Sequence, residues 1–77
     1  MSDPINSPKH YTHGNVEALD AIRAAMSFEG YEGFLVGQVL KYLWRYRYKG
    51  RPVEDLNKGA FYYERLIKHL TVLDEEV

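Results

Sequence analysis

The sequence predicts an all-α fold, a three-helix unit with an extended N-terminal arm, assembled as a homo-oligomer. Three segments carry apolar residues at helical spacing, and none shows the alternation that is typical of a strand. A chain of 77 residues without cysteine lies near the lower size limit for a core that is stable alone. Because disulfides and thiolate metal sites are excluded, and 45% of the residues are hydrophobic, self-association is the favoured source of additional stability.

The first part of the chain predicts an arm followed by a helix. Residues 1–14 contain two prolines and a glycine among small polar residues, which indicates an extended arm. Residues 15–77 are then expected to form a single helical domain. Asn15 is a suitable N-cap for a first helix over residues 16–27. The apolar face of this helix is expected to consist of Ala18, Leu19, Ile22, Ala25 and Met26. Two glycines in "FEGYEGF" are expected to separate this helix from the next.

Two longer helices follow. The second is predicted over residues 32–48, with Gly50 as the residue that ends it in a left-handed conformation. Pro52 favours the first turn of a third helix that reaches residue 73. The inner face of the third helix is expected to consist of Leu56, Ala60, Tyr63, Ile67 and Leu70, joined by Gly59 and Leu66.

The second helix is apolar around most of its circumference. At about 100° per residue, only a narrow sector is polar, and it contains Gln38, Lys41 and Arg45, which we call the polar row. A helix of this kind is normally buried on nearly all sides. A three-helix monomer covers only part of it, so partner subunits are expected to cover the rest, and the polar row would then face a ligand cavity or an acidic neighbour.

Two sets of carboxylates could serve chemistry or structure. Glu17 and Asp20 lie three residues apart on the first helix, where they could hold Mg²⁺ or act as a general base. The alternative is that they form ion pairs with Lys41 and Arg45, or complement the helix dipole. Asp55 is expected to point inward on the third helix and to pair with Lys41 or Arg45, because an unpaired buried charge is costly; capping of that helix is the alternative.

The polar row is a candidate phosphate site. Arginine offers a planar fork, lysine a mobile charge and glutamine an orienting amide, although the same residues could merely neutralise nearby acids. Tyr11, Tyr46 and Tyr62 are candidates for stacking on a base, with burial in the core as the alternative. In the arm, His10 could donate a hydrogen bond to a phosphate, and His10 with His13 lacks a convincing third metal ligand.

Several classes of function are disfavoured. The net charge of −1 argues against extensive nucleic-acid binding. No GxxxxGK[ST] loop, GxGxxG motif, HExxH motif or nucleophile elbow occurs, so no catalytic set can be assigned. No apolar run approaches the length of a membrane span and no signal peptide is visible, so a cytoplasmic location is expected.

Three stretches, "INSPKHYTHGNVEALDAI", "GFLVGQVLKYLWRYRYKG" and "EDLNKGAFYYERLI", resemble a family of small phage-encoded proteins of unknown function (SaV-like). Many members are labelled nucleotide kinase by similarity to a longer phage deoxynucleoside monophosphate kinase that lacks a Walker loop. The resemblance covers residues 5–67. The matching positions are Ile5, Asn6, Pro8, His10, Tyr11, Gly14, Glu17, Asp20, Phe34, Gly37, Lys41, Tyr42, Arg45, Tyr46, Asp55, Leu56, Lys58 and Tyr62. The chain departs from the family pattern at Gln38, Gly59 and Phe61.

The resemblance implies that the matching polar residues, including Asn6, line one functional site. The favoured hypothesis is a phage accessory protein that binds phosphorylated nucleotides in oligomer pockets and sequesters a host immune signalling nucleotide in the host cytoplasm. A Mg²⁺-dependent nucleoside monophosphate kinase is the first alternative. The second is an inhibitor that uses its seven tyrosines and basic helix end to dock on a host enzyme.

Overall fold

The computed structural model describes residues 16–75, which form three α-helices without a strand. They are α1 (Val16–Ala25), α2 (Phe28–Arg45) and α3 (Pro52–Glu75). The predicted all-α fold is confirmed for this part of the chain, whereas the predicted arm lies outside it. The chain divides into two compact units, of which the first ends at Tyr31 and the second begins at Glu32. None of the helices in residues 16–75 is long and apolar enough to cross a membrane.

The boundary between α1 and α2 differs from the prediction. Ser27, expected to end α1, is the N-cap of α2: its Oγ accepts a hydrogen bond from the Gly30 N–H at 2.9 Å, and its carbonyl accepts one from the Tyr31 N–H at 2.9 Å. Gly30 and Gly33, expected to separate the helices, lie inside α2. A glycine costs a helix about 1 kcal/mol relative to alanine, a cost that the cap and the apolar residues of α2 offset.

The first unit buries few of the side chains that periodicity selected. Leu19 and Tyr31 are 2% exposed, whereas Met26 is 40% exposed. Ile22 is half-buried, and the alanines of the predicted apolar face are exposed. The predicted apolar face of α1 is therefore confirmed at Leu19 and is wrong for its alanines.

The second unit is a helical hairpin with a tight connection. The helix α2 ends at Arg45, three residues before its predicted end, because the Tyr48 N–H bonds to the Arg45 carbonyl at 2.9 Å and tightens the last turn. Gly50 has φ +83°, which confirms the left-handed position expected there. Pro52 begins α3 as predicted, and the Arg51 carbonyl accepts the first hydrogen bond of that helix from the Asp55 N–H at 3.0 Å.

The two helices of the hairpin approach each other most closely at Gly59. A Cβ added to Gly59 would lie 3.2 Å from the Cβ of Tyr42, so a larger side chain there would push α3 away from α2. The rings of Tyr42 and Tyr62 stack with centroids 6.0 Å apart and an angle of 11° between their planes. Leu35 is fully buried on the same side of α2 as Tyr42.

The predicted inner face of α3 is confirmed at Gly59 and is wrong for Leu56, Tyr63 and Ile67. In the single chain Leu56, Tyr63 and Ile67 are 40%, 54% and 52% exposed, while Asp55 and Gly59 are the residues of α3 that are buried. The helix is turned in this way because the ion pair of Asp55 and the small size of Gly59 select the side that approaches α2. A substantial apolar surface of α3 consequently remains open.

Replacing Ser27 with alanine is expected to lower the free energy of unfolding by about 1 kcal/mol, because the Gly30 N–H loses its capping acceptor. Urea unfolding followed by circular dichroism would measure the change. Thr71→Ala is the matched control, since it also removes a hydroxyl bonded to the backbone, the Ile67 carbonyl at 2.7 Å, but within a helix. Equal losses in the two variants would contradict the assignment of Ser27 as a cap.

Candidate functional site

A buried ion pair joins the end of α2 to the start of α3. The Arg45 Nε donates to Asp55 Oδ2 at 3.0 Å, and the Arg45 Nη2 donates to Asp55 Oδ1 at 3.3 Å. The side chain of Asp55 is 3% exposed and that of Arg45 is 32% exposed. The guanidinium therefore binds the carboxylate in a bidentate manner, while part of the Arg45 side chain stays in contact with solvent.

The local structure explains why these two residues meet. Arg45 is the last residue of α2, and Asp55 lies one turn into α3, after the connection that Gly50 reverses. The backbone N–H of Asp55 is bonded within α3, and its carboxylate is bonded to Arg45. The prediction of an inward carboxylate with a cationic partner is confirmed, and of the two candidate partners the structure selects Arg45.

The ion pair also favours the charged form of the guanidinium. The hydrogen bond to Asp55 raises the pKa of Arg45 above its ordinary value, against a smaller lowering by burial, and the negative charge of Asp55 adds to the rise. An arginine is already protonated throughout the physiological pH range, so the upward shift of the pKa leaves Arg45 cationic at every pH at which the protein would be tested.

The second cation of the polar row is less restrained. The Lys41 Nζ lies 4.6 Å from the centroid of the Tyr42 ring, and the Arg45 Cζ lies 5.2 Å from the same centroid. Both distances are within the range of a cation–π contact. Lys41 is exposed and makes no ion pair with an acid among the described residues of the second unit. The charge of Lys41 is thus available to an anion from solution.

An open groove of about 690 Å³ lies beside the two cations and is lined by Leu40, Lys41, Leu43, Trp44 and Arg45. Trp44 is 79% exposed and Leu40 is 59% exposed. Periodicity assigned these side chains to a buried helix, so sequence reasoning missed that they form the wall of a surface groove. Their position next to the polar row along α2 was the available signal.

The other predicted site residues are distributed differently. Gln38 and Tyr46 are half-buried, and Tyr62 is half-buried with its ring stacked on Tyr42. Glu17 and Asp20 are exposed on α1, in the first unit. The residues of the predicted site that lie outside the described part of the chain are Asn6, His10 and Tyr11. Within residues 16–75, no group of three histidines or carboxylates is placed to hold a metal ion.

A second, exposed ion-pair network provides a reference for the buried one. Glu54 accepts from Arg51 Nε at 2.7 Å and from Lys58 Nζ at 3.5 Å, and its own side chain is 45% exposed. Exposed pairs of this kind contribute about 0.2–1 kcal/mol. The pair between Arg45 and Asp55 differs because its carboxylate is shielded from water, so losing one partner leaves the other without compensation.

Asp55→Asn is expected to lower the free energy of unfolding at least twice as much as Glu54→Gln, for which about 0.5 kcal/mol is expected. Both substitutions remove one negative charge without changing the shape of the side chain. Urea unfolding of the two variants at the same protein concentration would give both values. An equal loss would show that burial adds nothing to the importance of the Asp55 carboxylate.

Comparison with known proteins places the chain in a family. The sequence profile of the family described as protein of unknown function (DUF3310) matches residues 5–64. The chain is 38% identical over 73 residues to the "Gene 1.7 protein" of Enterobacteria phage T3, covering 90% of this chain and 45% of that protein. It is 33% identical over 69 residues to the "Nucleotide kinase gp1.7" of Escherichia phage T7, covering 84% and 35% respectively.

The chain thus spans less than half the length of both phage relatives. No solved structure matches the chain significantly. The family match covers most of the chain and includes the polar row together with Asp55. The chain therefore belongs to the DUF3310 family of proteins of unknown function, which has relatives in phages.

Proposed function

We propose that this chain binds the phosphate of a nucleotide with Lys41 and Arg45, as a homo-oligomer in the host cytoplasm. The observation that carries the proposal is the state of Arg45, whose guanidinium is held in place by a buried carboxylate while 32% of its side chain remains exposed. A cation that is positioned before the ligand arrives loses little conformational freedom on binding.

The hydrogen-bonding capacity of Arg45 supports this role. A guanidinium has five N–H donors, of which one on Nε and one on Nη2 bind Asp55. Three donors are left, and their planar arrangement suits two oxygens of one phosphate. The Arg45 side chain is partly exposed and lines the open groove together with Lys41.

The spacing of the two cations supports an anionic ligand. Lys41 and Arg45 are four residues apart on α2 and are therefore neighbours on its surface, where like charges destabilise a helix modestly. Asp55 offsets one of the two charges, and an anion held between them would offset the other. The amide of Gln38, one turn before Lys41, could orient such an anion.

Aromatic residues near the polar row offer rings on which the base of a nucleotide would stack. Tyr46 is half-buried and follows Arg45 directly, while Tyr62 already stacks on the ring of Tyr42. Aromatic rings stack on bases with little preference for one base. The name of the phage T7 relative also refers to a nucleotide, and by analogy we assign the ligand to the nucleotides. Binding without turnover would make the protein a trap for a signalling nucleotide of the host.

Exposed apolar side chains support the proposal that the protein forms a homo-oligomer. In the second unit, Leu43 is 52% exposed, Val53 is 70% exposed and Trp44 is 79% exposed. Large contiguous apolar surface is unusual on a soluble monomer and commonly marks a protein interface. Further copies of the chain would cover it, as the predicted burial of α2 requires.

A nucleoside monophosphate kinase is the second candidate, favoured by the name of the phage T7 relative. In that scheme the polar row would hold phosphates and Glu17 with Asp20 would hold Mg²⁺, since phosphoryl transfer depends mainly on positioning and charge. Purified protein incubated with Mg-ATP and each deoxynucleoside monophosphate should then form the diphosphate. Absence of any diphosphate, in a preparation that binds the monophosphate, would contradict this candidate and leave the binding function in place.

Lys41→Gln is expected to weaken the binding of a deoxynucleoside monophosphate about tenfold or more, because a charge-assisted hydrogen bond contributes about 1.5–3 kcal/mol. Isothermal titration calorimetry would measure the affinity, with the phosphate-free nucleoside as a ligand control. Lys49→Gln removes the same charge from the exposed segment after α2 and should bind normally. Unchanged affinity in Lys41→Gln, or equal loss in both variants, would contradict a phosphate site at the polar row.

A further inference from the structure

One side of α2 is open and has the features of a close helix–helix contact. Taking about 100° per residue, Gly33, Leu40 and Trp44 lie within about 60° of Gly37, and these four residues are called the open face. Leu40 is 59% exposed and Trp44 is 79% exposed. A Cβ added at Gly33 or Gly37 would meet no atom within 4 Å. The chain therefore places two large apolar side chains and two vacant glycine positions on one exposed surface.

The open face is not the side on which α3 lies. Tyr42 contacts α3 at Gly59, and Leu35 is fully buried on the same side. Both residues lie about 140–160° from Gly37 around α2. Glycine is the least favourable helix residue after proline, so two glycines on an open helix face suit a partner that approaches the backbone closely there.

The charges of α2 indicate what that partner is. The first turn carries the acidic Glu29 and the last turn carries the basic Arg45, and Arg47 extends the basic end. A second α2 in the opposite direction would bring each acidic end level with a basic end along the axis of the pair, and would also align the two helix dipoles favourably. A parallel arrangement would bring like charges together. The helix is thus complementary in charge to an antiparallel copy of itself.

We infer that two copies of this chain pair through antiparallel α2 helices that cross at Gly37, and that the two polar rows thereby border one phosphate-binding furrow. Glycine at the crossing allows the helix axes to approach to about 8 Å. Trp44 of each copy then covers the surface near Gly33 of the other. The inference rests on the proposed function for its ligand and adds a second copy of the chain to the site.

The shared furrow follows from the symmetry. Gln38, Lys41 and Arg45 lie about 40–100° to one side of Gly37. In an antiparallel pair related by a two-fold axis through Gly37, each side of one helix lies next to the same side of the other. The two Lys41 residues are then about 12 Å apart along the helix axis, and their long side chains can converge on one anion at the two-fold axis. One nucleotide should bind for every two chains.

Disulfide trapping tests the helix pair, because the natural sequence has no cysteine. Gly37→Cys should give a disulfide-linked dimer under mild oxidation, since the two α carbons would lie within the reach of a disulfide at the crossing. Gly33→Cys is the matched control and should not, because the two-fold axis places its copies about 12 Å apart along the helix. Links at both positions would indicate parallel helices, and links at neither would exclude this pairing; either result would overturn the inference.

A second variant tests the furrow without an added thiol. Gly37→Leu should keep its helical circular dichroism, since nothing lies near the added side chain in the single chain, but should sediment at a lower mass than the unchanged protein. Its affinity for a deoxynucleoside monophosphate should fall at least tenfold. Ala60→Leu adds a bulky side chain at an exposed position of α3, outside the α2 pair, and is the control, expected to retain both mass and affinity.

The stoichiometry separates this inference from the proposed function. Calorimetric titration of the unchanged chain should saturate at one nucleotide per two chains. Saturation at one nucleotide per chain would overturn the inference that two chains share one phosphate site, while the proposed function stands. Undiminished affinity in a Gly37→Leu variant that has dissociated into single chains would do the same. A disulfide at Gly37 alone, in a chain that binds no nucleotide, would instead overturn the proposed function and support the helix pair.

Discussion

The ion pair between Arg45 and Asp55 is the constraint on which the second unit depends. A carboxylate with 3% of its surface exposed is tolerated only when a cation compensates it. Because the two residues come from the end of α2 and the start of α3, that requirement determines the orientation of both helices at the connection. It also turns α3 so that Gly59, one helical turn further, lies against Tyr42.

A small number of contacts between large side chains hold the resulting hairpin together. The rings of Tyr42 and Tyr62 stack, and the cations of Lys41 and Arg45 lie over the ring of Tyr42. Tyr42 therefore contacts the polar row, Gly59 and Tyr62 at once. Among the described residues of the second unit, the buried hydrophobic side chains are Leu35 and Tyr42. A core of that size is small for an independent domain, which is the physical reason why further copies of the chain are expected to complete it.

Structure and proposed function use the same residue. Arg45 compensates a buried charge and presents its remaining donors to solvent, so the group that orients the helices would also orient a ligand. One residue with both roles suits a chain that matches less than half the length of each of the two phage relatives. The proposed site, assembled from one helix end and a second copy of the same helix, would bind its ligand without a catalytic loop.

The sequence by itself determined the helical class, the position of Gly50 and Pro52, and the pairing of an inward Asp55 with a cation. Periodicity, turn chemistry and the cost of a buried charge are local or nearly local effects, and they can be read from the order of residues. The start of α2 could not be read in this way, because a favourable cap at Ser27 competed with two glycines. Only the tertiary structure decided which of the expected inner residues of α3 are buried. Apolar spacing also placed Leu56, Tyr63 and Ile67 inside, yet they remain exposed. Burying a compensated charge and a glycine allows the two helices closer contact than burying bulky side chains would.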